Sequence, residues 1–218
     1  MSGAPVVGLR SVNVGMPRYL GEHRGHPVTS GIAKAPVGVS HLALDWVNLE
    51  GDAQAELSVH GGPDKAVYAY SSENQAVWSE ELGDELGPAS FGENLTTEGC
   101  TEDDVCIGDR WEWGDALLEV CQPRWPCYKL TMYRGRADIG RLMRANGRTG
   151  WYLRVLRTGR VPVAGPIIVV ERQPVGCTVR LAHEAASPKG PPDEVRRAVL
   201  ALDPLADEWK EMIAERLP

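Results

Sequence analysis

In several short segments of the first 173 residues, apolar and polar side chains alternate with a period of two, which is typical of β-strands. The clearest pattern is a predicted hairpin over residues 111–121, in which tryptophan, leucine and valine alternate with polar residues around a Gly114-Asp115 turn. In the first predicted strand, Val6–Val14, we expect Val6, Val12 and Val14 to face inward. Further strands are predicted over residues 28–32, 65–70, 151–156 and 166–171.

Helical signals are fewer in this part of the chain. Ser72 with Gln75 three residues later is typical of a capping box at the start of a helix, and Gly83 is expected to end that helix. A second helix is predicted over residues 137–145, with Gly147 as its stop. Helices are therefore too few to alternate with the strands as a doubly wound sheet requires.

The character of the sequence changes after residue 174. Three short helices are predicted over residues 178–186, 193–202 and 203–217, with Thr178 and Asp203 as N-caps. The pattern predicts a mainly β fold with some α, namely a closed or half-closed β-barrel followed by a small three-helix domain. We place the barrel at residues 1–173 and the helical domain at residues 174–218.

Charge is distributed unevenly over the 218 residues. The formal net charge is −7, but residues 123–160 hold nine Arg and one Lys against Asp138 alone, a local charge of +9. An acidic protein with one basic segment can attract a small anion, whereas duplex nucleic acid needs a long basic stripe. We therefore expect a phosphorylated small molecule or cofactor and no nucleic acid; the alternative is that these arginines form ion pairs within the protein.

Cysteine use and hydropathy bear on the compartment. The five cysteines leave one unpaired in any full pairing, and no C-x-x-C motif occurs, so thiols in a reducing cytosol are expected rather than disulfides or a closed zinc site. No signal peptide and no apolar run of membrane-spanning length are recognised. We expect a cytoplasmic protein without membrane association.

Two glycine-containing motifs are candidate binding loops. In His60-Gly61-Gly62-Pro63-Asp64-Lys65, the glycines allow close approach to the backbone and two basic side chains flank the turn. In Phe91-Gly92-Glu93-Asn94-Leu95, the Asn94 amide can donate and accept hydrogen bonds to a ligand. Either segment is also compatible with an ordinary turn.

The segment 122–130 (QPRWPCYKL) contains the candidate reactive cysteine. Its two prolines indicate an edge strand or a rigid loop, and extended geometry would direct Cys127 and Lys129 to the same side. Positive charge from Arg124 and Lys129 would lower the pKa of the Cys127 thiol and favour the thiolate, a nucleophile or a soft-metal ligand. The alternative is an inert buried cysteine, which is our expectation for the other four.

Two further arginines follow in the basic segment. Arg144 and Arg148 are four residues apart and would share a face if the preceding helix extends that far. Arg148 is flanked by Gly147 and by Thr149-Gly150, a context suited to a phosphate.

Taken together, four segments resemble the MOSC domain family, and within it the stand-alone bacterial members of the YiiM type. They are LEGDAQAELSVHGGPDKAVYAYS (49–71), FGENLTTEG (91–99), IGDRWEWGDALLEVCQPRWPCYKL (107–130) and GRTGWYLRVL (147–156). The resemblance covers residues 6–173 and implies a β-barrel that binds the molybdenum cofactor, a pterin dithiolene phosphate. It also implies that Cys127 is the protein ligand of the metal.

The resemblance further implies a reductase of N-hydroxylated compounds, including hydroxylamino base analogues, that receives electrons from a flavoprotein or similar donor. Cys127 and His60 are then the candidate catalytic residues. The candidate cofactor contacts, placed by motif position, are His60, Gly61, Gly62, Lys65, Tyr68, Asn94, Leu95, Arg124, Lys129 and Arg148. His60 or Lys65 would donate the proton that the departing water needs. We expect a monomer or a homodimer.

One alternative uses the same thiolate without turnover. Cys127 would carry a persulfide, or the protein would bind the cofactor for delivery, and the sequence does not separate this from the reductase. A Cys–His hydrolase is disfavoured because no third group that would orient His60 is identifiable.

Overall fold

The computed structural model describes residues 5–56, 61–173 and 176–218. The strands within these ranges are β1 (Val6–Val14), β2 (Arg18–His23), β3 (His26–Ser30), β4 (Ala35–Pro36), β5 (His41–Leu44), β6 (Val67–Ser71), β7 (Leu95–Glu98), β8 (Arg110–Trp113), β9 (Ala116–Pro123), β10 (Trp151–Arg157), β11 (Gly159–Pro162) and β12 (Ile167–Glu171). The helices are α1 (Ser72–Leu82), α2 (Tyr128–Arg134), α3 (Ile139–Asn146), α4 (Val179–Ala185), α5 (Asp193–Leu200) and α6 (Asp207–Ala214). None of these helices combines the length and the apolar character that a bilayer crossing requires.

Seven strands close into a barrel. Their order is β1-β12-β8-β9-β10-β6-β7, and β7 pairs with β1 to complete the ring. β6 and β7 are parallel, and α1 forms the crossover that joins such neighbours. The predicted mainly β barrel with additional helices is confirmed.

Tryptophan side chains fill the barrel. Trp111 and Trp113 on β8 and Trp151 on β10 are completely buried, as their alternation with polar residues predicts. The rings of Trp111 and Trp151 meet edge to face, with centroids 6.1 Å apart. These rings form much of the apolar core on which the position of β10 depends.

The first strand has the predicted bounds but not the predicted inward face. Val12 is buried as expected and Val14 is half-buried, but Val6 is 56% exposed and Val7 is buried instead. The register against β7 shifts after Leu9, where a β-bulge inserts an extra residue. Because side chains alternate strictly along a regular strand, this bulge reverses which residues face inward.

The predicted start of α1 and the predicted ends of α1 and α3 can be compared with the structure. α1 begins at Ser72, but its N-cap is Ser71, whose hydroxyl accepts from the Asn74 N–H, so the predicted cap is wrong by one residue. Gly83 and Gly147 end these helices in left-handed conformation, as predicted.

The start of α6 differs from the prediction. Thr178 caps α4 as expected, but Asp203 is not the cap of α6, which begins after Ala206. The Ala206 N–H instead donates to the carbonyl oxygen of Cys121 on β9, at 3.0 Å. The backbone of residue 206 is thus bound to the barrel, and α6 begins at the next residue.

The three C-terminal helices pack against the barrel. Val179 of α4 and Trp209 of α6 belong to the same apolar cluster as the barrel tryptophans. The predicted boundary falls at Pro174 and Val175, which lie outside the described residues. The division into a barrel domain and a helical domain of residues 174–218 stays a prediction.

The cysteine segment is not extended throughout. β9 ends at Pro123, and Cys127 is the N-cap residue of α2, with its carbonyl accepting from the Leu130 N–H at 3.1 Å. Lys129 therefore lies in the first helical turn, so the expected extended geometry of Cys127 and Lys129 is wrong. The helix begins here because the chain passes the second proline, Pro126, and buries Leu130.

Gly150, which immediately precedes β10, connects the barrel to the segment before α2. It has φ +71°, its N–H donates to the buried Glu102 carboxylate at 2.7 Å, and its carbonyl accepts from the Arg124 N–H at 3.0 Å. A Cβ at this position would clash with the carbonyl oxygen of Ala69. A side chain here would therefore force β6 and β10 apart.

We expect Gly150→Ala to lower the free energy of unfolding by about 3 kcal/mol, through left-handed strain and the clash. The matched control is Gly165→Ala, where φ is +94° but no atom lies within 4 Å of the position that a Cβ would take, so about 1 kcal/mol is expected. Urea denaturation of both variants measures the difference. Equal losses would show that the close approach to Ala69 is unimportant.

Candidate functional site

A cleft opens where the segment before α2 passes the β3–β4 connection and the start of β6. Space wide enough for water measures about 80 Å³, and the empty volume is about 610 Å³ when the open mouth is counted. The lining residues are Ser30, Gly31, Ile32, Lys34, Ala53, Gln54, Ala55, Lys65, Tyr68, Gly92, Asn94, Arg124, Cys127, Lys129 and Tyr152. Five of the predicted contacts, together with Cys127, are thus brought to one place.

Cys127 differs from the other cysteines in its surroundings. It is partly exposed and lines the cleft, whereas the other four are buried. Burial raises the pKa of the Cys100 and Cys177 thiols to about 12 and also raises the pKa of Cys106 and Cys121. Those four are held as neutral thiols, in agreement with the expectation that they are inert.

Arg124 forms a buried positive wall of the cleft. It is 6% exposed, its guanidinium lies 4.7 Å from the centre of the Tyr68 ring, and it donates to the Tyr68 hydroxyl at 3.4 Å. Burial disfavours the cation, yet the neighbouring Tyr68, Tyr152 and Cys127 raise the pKa of Arg124 above its ordinary value. In the described part of the chain no carboxylate pairs with it, so its charge is available to an anion.

Two lysines predicted from the sequence also reach the cleft. Lys129 is 5% exposed, and its ammonium pairs with Glu56 at 3.1 Å. Lys65 pairs with Glu208 of α6 at 2.5 Å. Both positive charges are therefore paired with carboxylates that are not themselves among the lining residues of the cleft.

Lys34 is a site residue that sequence reasoning missed. It is buried in the cleft wall and forms an ion pair with Asp52, and burial lowers the pKa of its ammonium. Asp52 is held in turn by the Gly15 N–H at 2.8 Å and the Asn94 amide at 2.9 Å. The sequence feature that could have pointed to Lys34 is the glycine followed by a lysine in residues 31–34. This pattern resembles the glycine-containing candidate binding loops but lies far from them in the sequence.

Asn94 positions the cleft wall. Its side-chain oxygen accepts from the Tyr68 N–H at 3.1 Å, and its amide donates to Asp52 and to the carbonyl of Asn13. This network fixes β6, β1 and the Lys34–Asp52 pair relative to one another. The Asn94 amide, which was expected to hydrogen-bond a ligand, therefore already makes three hydrogen bonds within the protein.

Glu93, which precedes Asn94, organises the same loop and was not singled out from the sequence. Its buried carboxylate accepts from the Ala89 and Phe91 N–H groups and from the Gln75 amide. Burial raises the pKa of Glu93 to about 7 in spite of these hydrogen bonds. Gln75 is thus bound to this loop and does not complete a capping box.

Gln54 presents an unsatisfied polar atom beside the cleft. Its Oε1 is buried and has no hydrogen-bond partner within the described chain. A buried acceptor without a donor costs free energy unless a ligand or water supplies one. The cleft therefore offers one orphaned acceptor in addition to its cations.

Several predicted contacts are not brought to the cleft. His60 lies outside the described residues, and Gly61 and Gly62 do not line the cleft. Leu95 is completely buried in the barrel core. Arg148 follows the end of α3, so it shares no helical face with Arg144, and its guanidinium pairs with Glu81 at 2.8 Å.

The basic segment is largely neutralised within the protein. Arg154 pairs with Asp64 and Glu119, Arg157 with Glu112, and Arg136 with Asp138. Of its ten cations, Arg124 and Lys129 line this cleft. Ion pairs within the protein, the alternative considered from the sequence, thus neutralise much of the positive charge of this segment. Only a small part of that charge lines the cleft.

No cluster of three or more His, Cys, Asp or Glu side chains suited to a metal ion is found among the described residues.

Comparisons with known proteins place these features in a family. The MOSC domain model matches residues 56–167. Protein YiiM of Escherichia coli strain K12 is 38% identical over 204 residues, covering 91% of this chain and 90% of that protein. A crystal structure of YiiM from Geobacillus stearothermophilus superposes with a TM-score of 0.78 at 30% identity, covering 97% of this chain and all of that one.

A third relative carries a functional name. A protein of Gibberella moniliformis strain M3125 called "Reductase" is 39% identical over 127 residues, which cover 56% of this chain and 22% of that protein. This chain therefore matches about a fifth of that longer protein.

Proposed function

From the premise that this chain belongs to the MOSC domain family, we propose that it binds the molybdenum cofactor in the cleft and reduces N-hydroxylated compounds there. One observation carries the proposal. The cleft brings the partly exposed Cys127 thiol beside the buried Arg124 guanidinium, which no described carboxylate neutralises. A soft sulfur ligand and a buried cation that no described carboxylate pairs with together favour an anionic, sulfur-rich metal cofactor.

The donor set fits this cofactor in three respects. Cys127 supplies a thiolate, Arg124 and Lys129 supply charge for the phosphate, and the orphaned Gln54 oxygen can accept from a pterin N–H group. The water-sized space of about 80 Å³ is far smaller than a pterin, so the cofactor would have to occupy the open mouth.

The reaction balances with two electrons and two protons. The N–O bond of the substrate breaks, nitrogen is reduced by two electrons from a flavoprotein or similar donor, one proton goes to nitrogen, and the other converts the departing hydroxide to water. The bound metal would supply the two-electron redox chemistry. The protein supplies the cation-lined walls and the protons.

Lys34 is the proton donor that the described part of the cleft favours. Burial lowers the pKa of its ammonium, which makes it a stronger acid than an exposed lysine, and Asp52 keeps it oriented. Tyr68 and Tyr152 are poor donors because burial raises the pKa of both phenols. The sequence-based candidates, His60 and Lys65, remain alternatives for the same step.

The relative named "Reductase" supports an oxidoreductase and leaves the substrate open. The test uses the 218-residue chain purified from a host that makes the cofactor and from a strain that does not. We expect about one molybdenum per chain by elemental analysis in the first case. Reduction of a simple N-hydroxylamine by a chemical electron donor should follow the molybdenum content, and full activity of metal-free protein would refute the proposal.

The contribution of positive charge in the cleft to cofactor binding can be tested with two variants on α2. We expect Lys129→Gln to lower molybdenum retention after dialysis about tenfold, because a buried phosphate contact is lost. Arg134→Gln is the matched control, since Arg134 lies on the same helix but pairs with Asp84 away from the cleft. Equal retention in the two variants would contradict the assignment of Lys129.

The carrier alternative gives a different result in the same preparations. A persulfide carrier would show an adduct of roughly 32 Da on Cys127, one sulfur atom, and no reduction of the hydroxylamine. Intact-protein mass spectrometry before and after treatment with a thiol reductant separates the two functions.

A further inference from the structure

A second cavity lies beside Trp125, between α3, α4 and residues 187–191. Space wide enough for water measures about 880 Å³ there, more than in the cleft beside Cys127. Apart from Trp125, which is 38% exposed, its wall comes from segments with no part in the cleft. The cavity is therefore separate from the proposed cofactor site.

The wall of this cavity is strongly basic. It contains five cations, Arg141, Arg144, Arg180, Lys189 and Arg216, against the single carboxylate of the exposed Glu184. Of the described carboxylates, only Asp103 forms an ion pair with one of these cations, Arg180, at 3.2 Å. The charges of Arg141, Arg144 and Lys189 are thus not neutralised by ion pairs within the described chain.

A buried histidine in the same wall has one ring nitrogen without a hydrogen-bond partner among the described residues. His183 is 2% exposed, and its Nε2 lies 2.9 Å from the carbonyl oxygen of Arg144. Its Nδ1 is buried and has no hydrogen-bond partner in the described structure. Burial, with Arg180 and Arg144 nearby, lowers the pKa of His183, so the neutral ring donates from Nε2 and leaves Nδ1 as an acceptor.

We propose that this cavity binds the phosphate group of a small-molecule phosphate monoester. The anionic oxygens would contact Arg144, Arg141 and Lys189. The protonated oxygen of the monoanion would donate to His183 Nδ1 after a small movement of the wall, because this atom has almost no accessible surface in the unliganded chain. Charge alone would suit any anion, but an acceptor among cations favours an anion that carries its own O–H group. Sulfate carries no proton at neutral pH, whereas a phosphate monoester has a pKa of about 6 and retains some monoanion there.

The test follows the His183 imidazole signal by NMR in the full chain, titrated at pH 6.5 and constant ionic strength. Absence of that signal in His183→Asn assigns it. We expect inorganic phosphate and ribose 5-phosphate to shift the signal saturably, the ester at least as tightly as phosphate, and sulfate at least tenfold more weakly. Sulfate binding as tightly, or exclusion of the ester, would overturn the proposal.

Surface variants keep the test independent of the buried histidine. The double variant Arg144→Gln, Lys189→Gln should raise the dissociation constant for phosphate at least tenfold. The double variant Arg10→Gln, Arg157→Gln removes the same charge from exposed positions outside the cavity and should change it less than twofold. Equal effects in the two would overturn the proposal. Because the signal is local and needs no molybdenum, failure here is distinguishable from failure of the proposed reductase function.

Discussion

Cys127→Ser is expected to lose nearly all bound molybdenum and all reduction of N-hydroxylated compounds while the protein remains folded. A serine hydroxyl is a hard, protonated ligand, whereas the proposed site needs a soft thiolate. We expect molybdenum retained after dialysis to fall at least tenfold. Elemental analysis and hydroxylamine turnover, with the protein made in a cofactor-producing host, measure the two effects.

The same substitution should not cost stability. Cys127 is the N-cap residue of α2 but makes no side-chain capping hydrogen bond, and serine is among the preferred N-cap residues. We therefore expect the free energy of unfolding of the cofactor-free protein to rise by up to about 1 kcal/mol. Cys106→Ser, at a buried cysteine outside the cleft, is the control that should keep its molybdenum. Full metal retention in Cys127→Ser would refute the role of Cys127.

Trp111→Ala is expected to have the largest effect on stability. Trp111 is completely buried in the barrel and packs edge to face on Trp151. Removing a buried indole leaves a cavity that the closed barrel cannot collapse, at a cost of about 4 kcal/mol. For a chain of this length we expect the melting temperature to fall by roughly 10 °C, measured by circular dichroism.

Trp111→Phe separates ring packing from hydrogen bonding. The Nε1 of Trp111 has no hydrogen-bond partner among the described residues, so the indole N–H contributes no bond that phenylalanine would lose. We expect this variant to lose about 1–2 kcal/mol, from volume alone. A loss as large as that of Trp111→Ala would indicate an N–H contact that the structure does not show.

Local sequence patterns were sufficient for most of the elements. The alternation around Gly114-Asp115 predicted the β8–β9 hairpin, and Gly83 and Gly147 predicted two helix ends. The motif around Cys127 predicted the cysteine that differs from the others in exposure. These features were predictable because period-two alternation and left-handed glycine are short-range consequences of backbone geometry.

The tertiary structure decided what depends on contacts between distant segments. The bulge in β1 arises in its pairing with β7, so the exposure of Val6 could not be predicted from alternation alone. Lys34 is held in the cleft wall by Asp52, which lies 18 residues further along the chain. Asp52 is held in turn by Asn94, which lies another 42 residues further on. Likewise, the sequence determined that residues 123–160 are basic. Only the tertiary structure decided that Arg124 and the Glu56-paired Lys129 line the cleft while Arg154 pairs with Asp64 and Glu119, because these contacts form between neighbours in space.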